Sequence, residues 1–323
     1  MQNIPLFDAH CDTASKALAK SQGLRRNALH TDLTRGGAYA PYAQVFAVFA
    51  DGGLPDVTGR CEAILSFLEA ELAKNADIVA LCGSAEEIQN AAAAKKIAAL
   101  ISVEGAEQLG CSTARLAEVY RRGVRIVNPC WNHNNALCGA AIVWRQDSAG
   151  AWGIGSPGGG LTAQGREFIR AAQGLGVAVD VSHMSEAAFW DACEIAQKPL
   201  LASHSNSKAL CGHPRNLTDA QFCAIAEMGG AVGINLVADF LEESGAADPG
   251  AVLRHIGHFL SLSGEKTVCL GGDLDGTNQL PRGFGGVESY AALYELLLEE
   301  DYGEGLVRDI FYNNLLSYFE RAL

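Results

Sequence analysis

The sequence predicts an α/β fold, a single (β/α)8 barrel of the TIM type with a metal site at the C-terminal ends of its strands. Three observations predict it. Eight short apolar runs are spread along all 323 residues, and amphipathic helical patterns alternate with them. Metal-type side chains stand directly after runs that lie far apart in the chain. Alternating strand and helix implies a parallel sheet, and eight such strands can close on themselves. An open doubly wound sheet would instead gather its site at one switch point.

The strand candidates are 4–9, 43–49, 98–103, 124–128, 177–181, 199–203, 231–236 and 267–271. Val45-Phe46-Ala47-Val48-Phe49 and Ala231-Val232-Gly233-Ile234 are apolar throughout, as expected of parallel strands covered on both faces. Between them, Ser84-Ala85-Glu86-Glu87 and Thr218-Asp219-Ala220-Gln221 read as capping boxes, each satisfying two orphan amides at a helix start. Phe222, Ile225 and Met228 then fall on one helical face. Leu161, Phe168, Ile169, Ala172 and Leu175 outline another helix, and Phe189, Ala192, Cys193 and Ala196 a third. No repeat or low-complexity linker interrupts this pattern, so residues 1–323 are expected to form one domain. From about Asn128 to Gly160, thirty-odd residues with seven glycines and little periodicity form a loop over the active face of such a barrel.

Composition excludes several functions. A net charge of −13 with 24 Lys and Arg, and no basic stripe, argues against nucleic acid or an anionic membrane as partner. No apolar run reaches the roughly 18 residues of a membrane span. The N-terminus has no basic leader and runs almost at once into a strand, so a cytoplasmic protein is expected. Ten cysteines without a C-x-x-C pattern read as reduced thiols, several of them inside apolar strands.

Five metal-type groups follow five different strands or end them: His10 with Asp12, Glu104, His183, His204 and Asp273. In extended chain, His10 and Asp12 project to the same side, where an imidazole and a carboxylate can chelate one divalent ion at about 2.0–2.2 Å. Glu104, His183 and His204 bring the donors to three nitrogens and two carboxylates. One zinc is saturated by four ligands, so the set suits two ions sharing Glu104, about 3.5–4 Å apart. Taken singly, a histidine at a strand end is more often structural, as expected for His30, His133, His213, His255 and His258. Asp8 and Asp180 are expected to orient a ligand or to cap. Gly153-Ile154-Gly155-Ser156-Pro157-Gly158 matches a dinucleotide fingerprint, but no strand runs into it and it contains proline. Ser203-His204-Ser205 lacks a nucleophile elbow.

Seven segments together resemble the membrane dipeptidase (renal dipeptidase) family of zinc peptidases, within the amidohydrolase-type barrels. They are Asp8-Ala9-His10-Cys11-Asp12, Val103-Glu104-Gly105, Gly160-Leu161-Thr162 with Gly165-Arg166-Glu167, and Val179-Asp180-Val181-Ser182-His183-Met184-Ser185. Ala202-Ser203-His204-Ser205-Asn206, Pro214-Arg215-Asn216-Leu217 and Gly271-Gly272-Asp273-Leu274-Asp275-Gly276 complete the set, in family order across nearly the whole chain.

The resemblance implies a dipeptidase with two Zn2+ and a metal-bridging hydroxide. His10, Asp12 and Glu104 would hold one ion, and Glu104, His183 and His204 the other. Arg215 would bind the substrate's terminal carboxylate, a bidentate match for a guanidinium. Asp273 would move the proton from water to the leaving amine, with Asp275 the weaker candidate for that role. The chain departs from the mammalian-type pattern at Trp131, where the family carries a substrate-polarising histidine. His133, Asn132 or a metal ion alone could polarise the carbonyl instead, and His133 is carried here as a substrate-binding candidate. A lactonase or deacetylase on the same barrel, or a non-catalytic metal-binding protein, are the other readings. A homodimer is expected by analogy alone.

Overall fold

The computed structural model describes residues 4–146 and 152–323. Part of the long glycine-rich loop, residues 147–151, lies outside the described residues. Eleven strands are found there: β1 (Leu6–Cys11), β2 (Tyr42–Phe49), β3 (Val79–Leu81), β4 (Ile97–Glu104), β5 (Val124–Asn128), β6 (Trp144–Gln146), β7 (Trp152–Ile154), β8 (Ala178–Val179), β9 (Leu201–Ala202), β10 (Ala231–Ile234) and β11 (Val268–Leu270).

Eight of them pair in parallel in the order β8-β5-β4-β2-β1-β11-β10-β9. The two ends of this row meet through a bridge from Asp180 to Leu201, with the Val181 amide donating to the Leu201 carbonyl at 2.7 Å. The result is a nearly closed (β/α)8 barrel with helices between the strands. Each of the eight apolar runs coincides with one barrel strand. The runs are apolar throughout because one face looks into the barrel and the other lies under helices. Inside, Ala9, Ala43, Ala98, Ala178 and Ala231 leave room for Leu100, Ile126 and Leu201. The floor is closed by the C-terminal helix Asn314–Ala322 and the turn before it, whose Phe319 and Tyr312 rings lie 5.6 and 5.7 Å from the ring of Phe7.

Two features depart from the sequence reading. The short strand β3 pairs in parallel with the first residues of β4, ahead of the stretch that pairs with β5, and β6 and β7 pair antiparallel within the long loop. At Thr218 the capping box is reciprocal: its hydroxyl accepts from the Gln221 amide, and the Gln221 side chain accepts from the Thr218 amide at 2.9 Å. At Ser84 only half of it forms. The Ser84 hydroxyl accepts from the Glu87 amide, but the Glu87 carboxylate turns to the Gly83 amide instead. No helix among the described residues is long and apolar enough to cross a membrane.

Candidate metal centre

All five predicted metal-ligating residues meet at the C-terminal mouth of the barrel, and all are buried. His10 lies in β1 and Asp12 just beyond it; Glu104 ends β4; His183 and His204 follow β8 and β9 by a few residues. Two groups, His10–Asp12–Glu104 and Glu104–His183–His204, hold their donor atoms within 4.8 Å of one another. Glu104 belongs to both. Its Oε2 lies 3.4 Å from His10 Nε2, while its Oε1 lies 2.9 Å from His183 Nε2 and 3.6 Å from His204 Nε2. A third grouping replaces Asp12 and Glu104 with Asp180. However, the oxygens of Asp180 are already taken by the amides and hydroxyls of Ser182 and Ser203.

Hydrogen bonds set the protonation of the two later imidazoles. His183 Nδ1 meets the Asn132 side-chain oxygen at 2.9 Å, an acceptor, so the proton sits on Nδ1 and Nε2 keeps its lone pair. His204 Nδ1 meets Ser203 Oγ at 2.6 Å, and that hydroxyl donates onward to Asp180. His204 is therefore also protonated at Nδ1. Two lone-pair nitrogens then face each other at 3.0 Å beside a carboxylate oxygen. Such an arrangement is repulsive alone and favourable around a cation. Burial, reinforced by Arg215 and His10, holds both imidazoles well below their ordinary pKa, so both are neutral at pH 7, the state in which an imidazole can hold a metal.

The other half is different in kind. Among the described residues neither ring nitrogen of His10 makes a hydrogen bond, nor does Asp12 Oδ1, although all are buried; Nε2 only approaches Glu104 and Asp12 at 3.4 and 3.6 Å. Orphaned buried donors and acceptors of this sort are rare without a ligand to satisfy them. Burial opposes a charge on His10, yet the carboxylates of Glu104 and Asp12 outweigh it and raise its pKa well above the ordinary value. Burial likewise pushes Glu104 up to about 7, against the pull of His10. The donor set, three imidazoles and two carboxylates, fits zinc or a similar divalent metal.

A cleft of about 420 Å³ opens above these groups, lined by Asp12, Glu104, His183, Arg215, Asp273 and Trp131 among others. Arg215 is buried, and its Nη2 lies 3.1 Å from His183 Nε2 while Nη1 has no partner. Asp273 follows β11 with φ +56°, a left-handed turn that aspartate tolerates better than most side chains. Its carboxylate accepts from Asn235 Nδ2 at 3.1 Å, and burial, partly offset by His10, raises its pKa. Asp275 also lines the cleft, but both its oxygens are engaged, by the Thr13 hydroxyl at 2.6 Å and the His30 amide at 2.8 Å.

The structure does not bring His133 to the metal cluster. Its Nε2 pairs with Asp51 at 2.9 Å, and Trp131 and Asn132 line the cleft in its place. Trp131 packs between Phe49 and His183, with ring centroids 4.7 and 6.0 Å away. The loop carrying it is tied to the barrel rim: the Ala141 amide donates to the His183 carbonyl, and the Ser185 amide to the Gly139 carbonyl. Ser203, Asn132 and Asn235 were not legible as orienting groups. The one signal was Asp180, a carboxylate ending an apolar run with no charge partner nearby in sequence.

Comparisons with known proteins point to the same class of site. The family model described as membrane dipeptidase (peptidase family M19) matches residues 1–322. A Klebsiella pneumoniae protein described as an uncharacterized protein in the pqqA 5′ region is 36% identical over 262 residues, 80% of this chain and 94% of its own. Among solved structures, a metallopeptidase from Rhodobacter sphaeroides, liganded with a phosphinate mimic of the dipeptide L-Ala-D-Ala, superposes with a TM-score of 0.88. It is 26% identical, and the match covers 100% of both chains. The dipeptidase AC structure, also of family M19, gives a TM-score of 0.89 at 28% identity over 99% of each chain. The chain therefore belongs to the membrane dipeptidase family, peptidase family M19.

Proposed function

We propose that this metallo-dipeptidase binds two zinc ions, one between His10, Asp12 and Glu104 and the other between Glu104, His183 and His204. The divided contacts of Glu104, one oxygen toward His10 and the other toward His183 and His204, carry this reading. When bound, the ions would polarise the scissile carbonyl and acidify water.

The remaining steps belong to the chain's own side chains. Arg215 receives the terminal carboxylate of the dipeptide, which explains a buried guanidinium with one nitrogen still free. Asp273, steadied by Asn235, takes the proton of the attacking water and delivers it to the leaving amine. Its raised pKa suits both halves of that transfer. His133 is assigned no contact with substrate, because Asp51 holds it, and Asn132 is committed to His183. The dipeptide mimic in the Rhodobacter sphaeroides peptidase supports small dipeptides, L,D forms included, as the substrate class. The ten free cysteines support a reducing compartment, the cytoplasm. Residues 1–323 would act as one catalytic domain.

The test is a metal-content measurement alongside turnover of L,L- and L,D-dipeptides, with and without a chelator. Two equivalents of zinc and chelator-sensitive hydrolysis are expected. Full activity with a single equivalent would sink the two-metal reading. Equal turnover of amides lacking a free carboxylate would point to a deacetylase-type reaction and remove the role of Arg215.

A further inference from the structure

Besides Arg215, two further cations line the cleft without forming an ion pair among the described residues. Lys16 stands in the helix Thr13–Ala19 that follows β1, and Arg60 in the first turn of the helix Val57–Lys74 that follows β2. Both are half-buried, and neither forms an ion pair with any described residue. Elsewhere on the surface a cation beside carboxylates does pair, as Arg122 does with Glu62 and Glu69, whereas these two face the cleft. Leaving two cations unpaired in one cleft costs ion-pair energy that an anionic ligand could recover.

Their place is held by the fold. Ser15, next to Lys16, accepts a hydrogen bond from the Phe49 amide and donates to the Phe49 carbonyl, both at 3.1 Å, which fixes this helix to the end of β2. Arg215 reaches the cleft after β9, three strands around the barrel from β1. A dipeptide with its terminal carboxylate on Arg215 therefore extends its N-terminal residue toward the β1–β2 side. Asp51 also lines this side of the cleft, but its Oδ1 is turned to His133 and the Gly53 amide and it forms no ion pair with Lys16 or Arg60.

Resting on the dipeptidase reading of the same cleft, we infer that Lys16 and Arg60 form a subsite for an acidic side chain on the N-terminal residue of the dipeptide. The enzyme then discriminates in favour of aspartyl or glutamyl dipeptides over their amide counterparts. The two cations select substrate rather than perform chemistry.

The experiment compares kcat/KM for Glu-Ala, Gln-Ala, Ala-Glu and Ala-Ala on the zinc-loaded enzyme and on the double variant Lys16→Ala/Arg60→Ala. The wild type should favour Glu-Ala over Gln-Ala by roughly tenfold, mostly in KM. The double variant should lose that preference, with a fall on Glu-Ala at least several times that on Ala-Ala. Equal values for Glu-Ala and Gln-Ala in the wild type would overturn the subsite. A preference for Ala-Glu that the double variant abolishes would also overturn it, by moving the acidic side chain to the C-terminal residue. Failure to hydrolyse any of the four would overturn the dipeptidase reading itself, whereas hydrolysis of all four at one rate would overturn only the subsite.

Discussion

The two halves of the metal centre are supported in opposite ways. Around His183 and His204, hydrogen bonds act on the rings: Asn132 holds one Nδ1, and the Ser203–Asp180 pair holds the other. Around His10 they act on the backbone. Asp8 accepts from the His10 amide at 3.1 Å, the Gly272 amide at 3.0 Å and the Tyr290 hydroxyl at 2.7 Å, so it locks β1 against the end of β11. The His10 ring itself makes no hydrogen bond with any described residue. One half is thus preorganised in tautomer and orientation. The other is preorganised only in chain path, and its imidazole takes its final state from what binds.

Glu104 is where the halves join, and its loss should produce the largest effect. Glu104→Ala removes a ligand from both groups, so hydrolysis should fall by about 10³-fold or more, with bound metal reduced below two equivalents. Near-normal turnover would show that the halves work independently and would end the comparison. The next effect separates them. Asn132→Ala and Ser203→Ala each free an imidazole whose tautomer is now set, and should cost about 10–100-fold in metal affinity or activity. Both substitutions act on the β8–β9 half alone. An effect within twofold in either would mean that the rings are positioned by packing rather than by these bonds.

A chelator titration sharpens the contrast further. His10 has a pKa raised well above 6.5, so in the metal-free enzyme it holds a proton at pH 7 that a metal must displace. His183 and His204, held well below 6.5, have no such proton in the neutral range. Release should therefore come in two steps, with the ion of the β1 half leaving first. The gap between the steps should widen as pH falls from 8 to 6, by up to roughly tenfold per unit, because only the first site has an imidazole that competes with a proton, while Glu104, raised to about 7, weakens both sites alike. Retention of one equivalent by His10→Ala would identify the second step. Simultaneous release at both pH values would erase the distinction.

How much of this could be read in advance depended on distance along the chain. Each barrel strand was visible because burial on both faces writes a continuous apolar run, and each metal-type residue stood within a few positions of such a run. The strands β3, β6 and β7 were not read as strands: each spans only three residues, and β3 runs out to the exposed Leu81, unlike the equally short but wholly buried β11. The orienting bonds were hidden for another reason. Asn132 meets His183 across 51 positions, Asn235 meets Asp273 across 38, and neither asparagine carries a local mark. His133 drew attention by lying two positions from Trp131, but the turn there carries it to Asp51. Sequence proximity stood in for spatial proximity, and the loop's backbone decided otherwise.

The smallest expected effect tests whether support through the backbone really differs from support through the ring. Tyr290→Phe removes only the hydroxyl that donates to Asp8, leaving the two amide bonds to that carboxylate in place. Asp8 is wholly buried, so one lost partner should lower stability by about 1–2 kcal/mol, measured by denaturant unfolding. Because β1 stays pinned at two points and the His10 ring gains or loses no hydrogen bond, activity should change by less than about threefold. The order of metal release should also stay the same. If Tyr290→Phe instead cost as much activity as Asn132→Ala, the path of β1 would be setting the His10 ring as firmly as a direct bond does. Both halves would then be preorganised to the same degree, by different means.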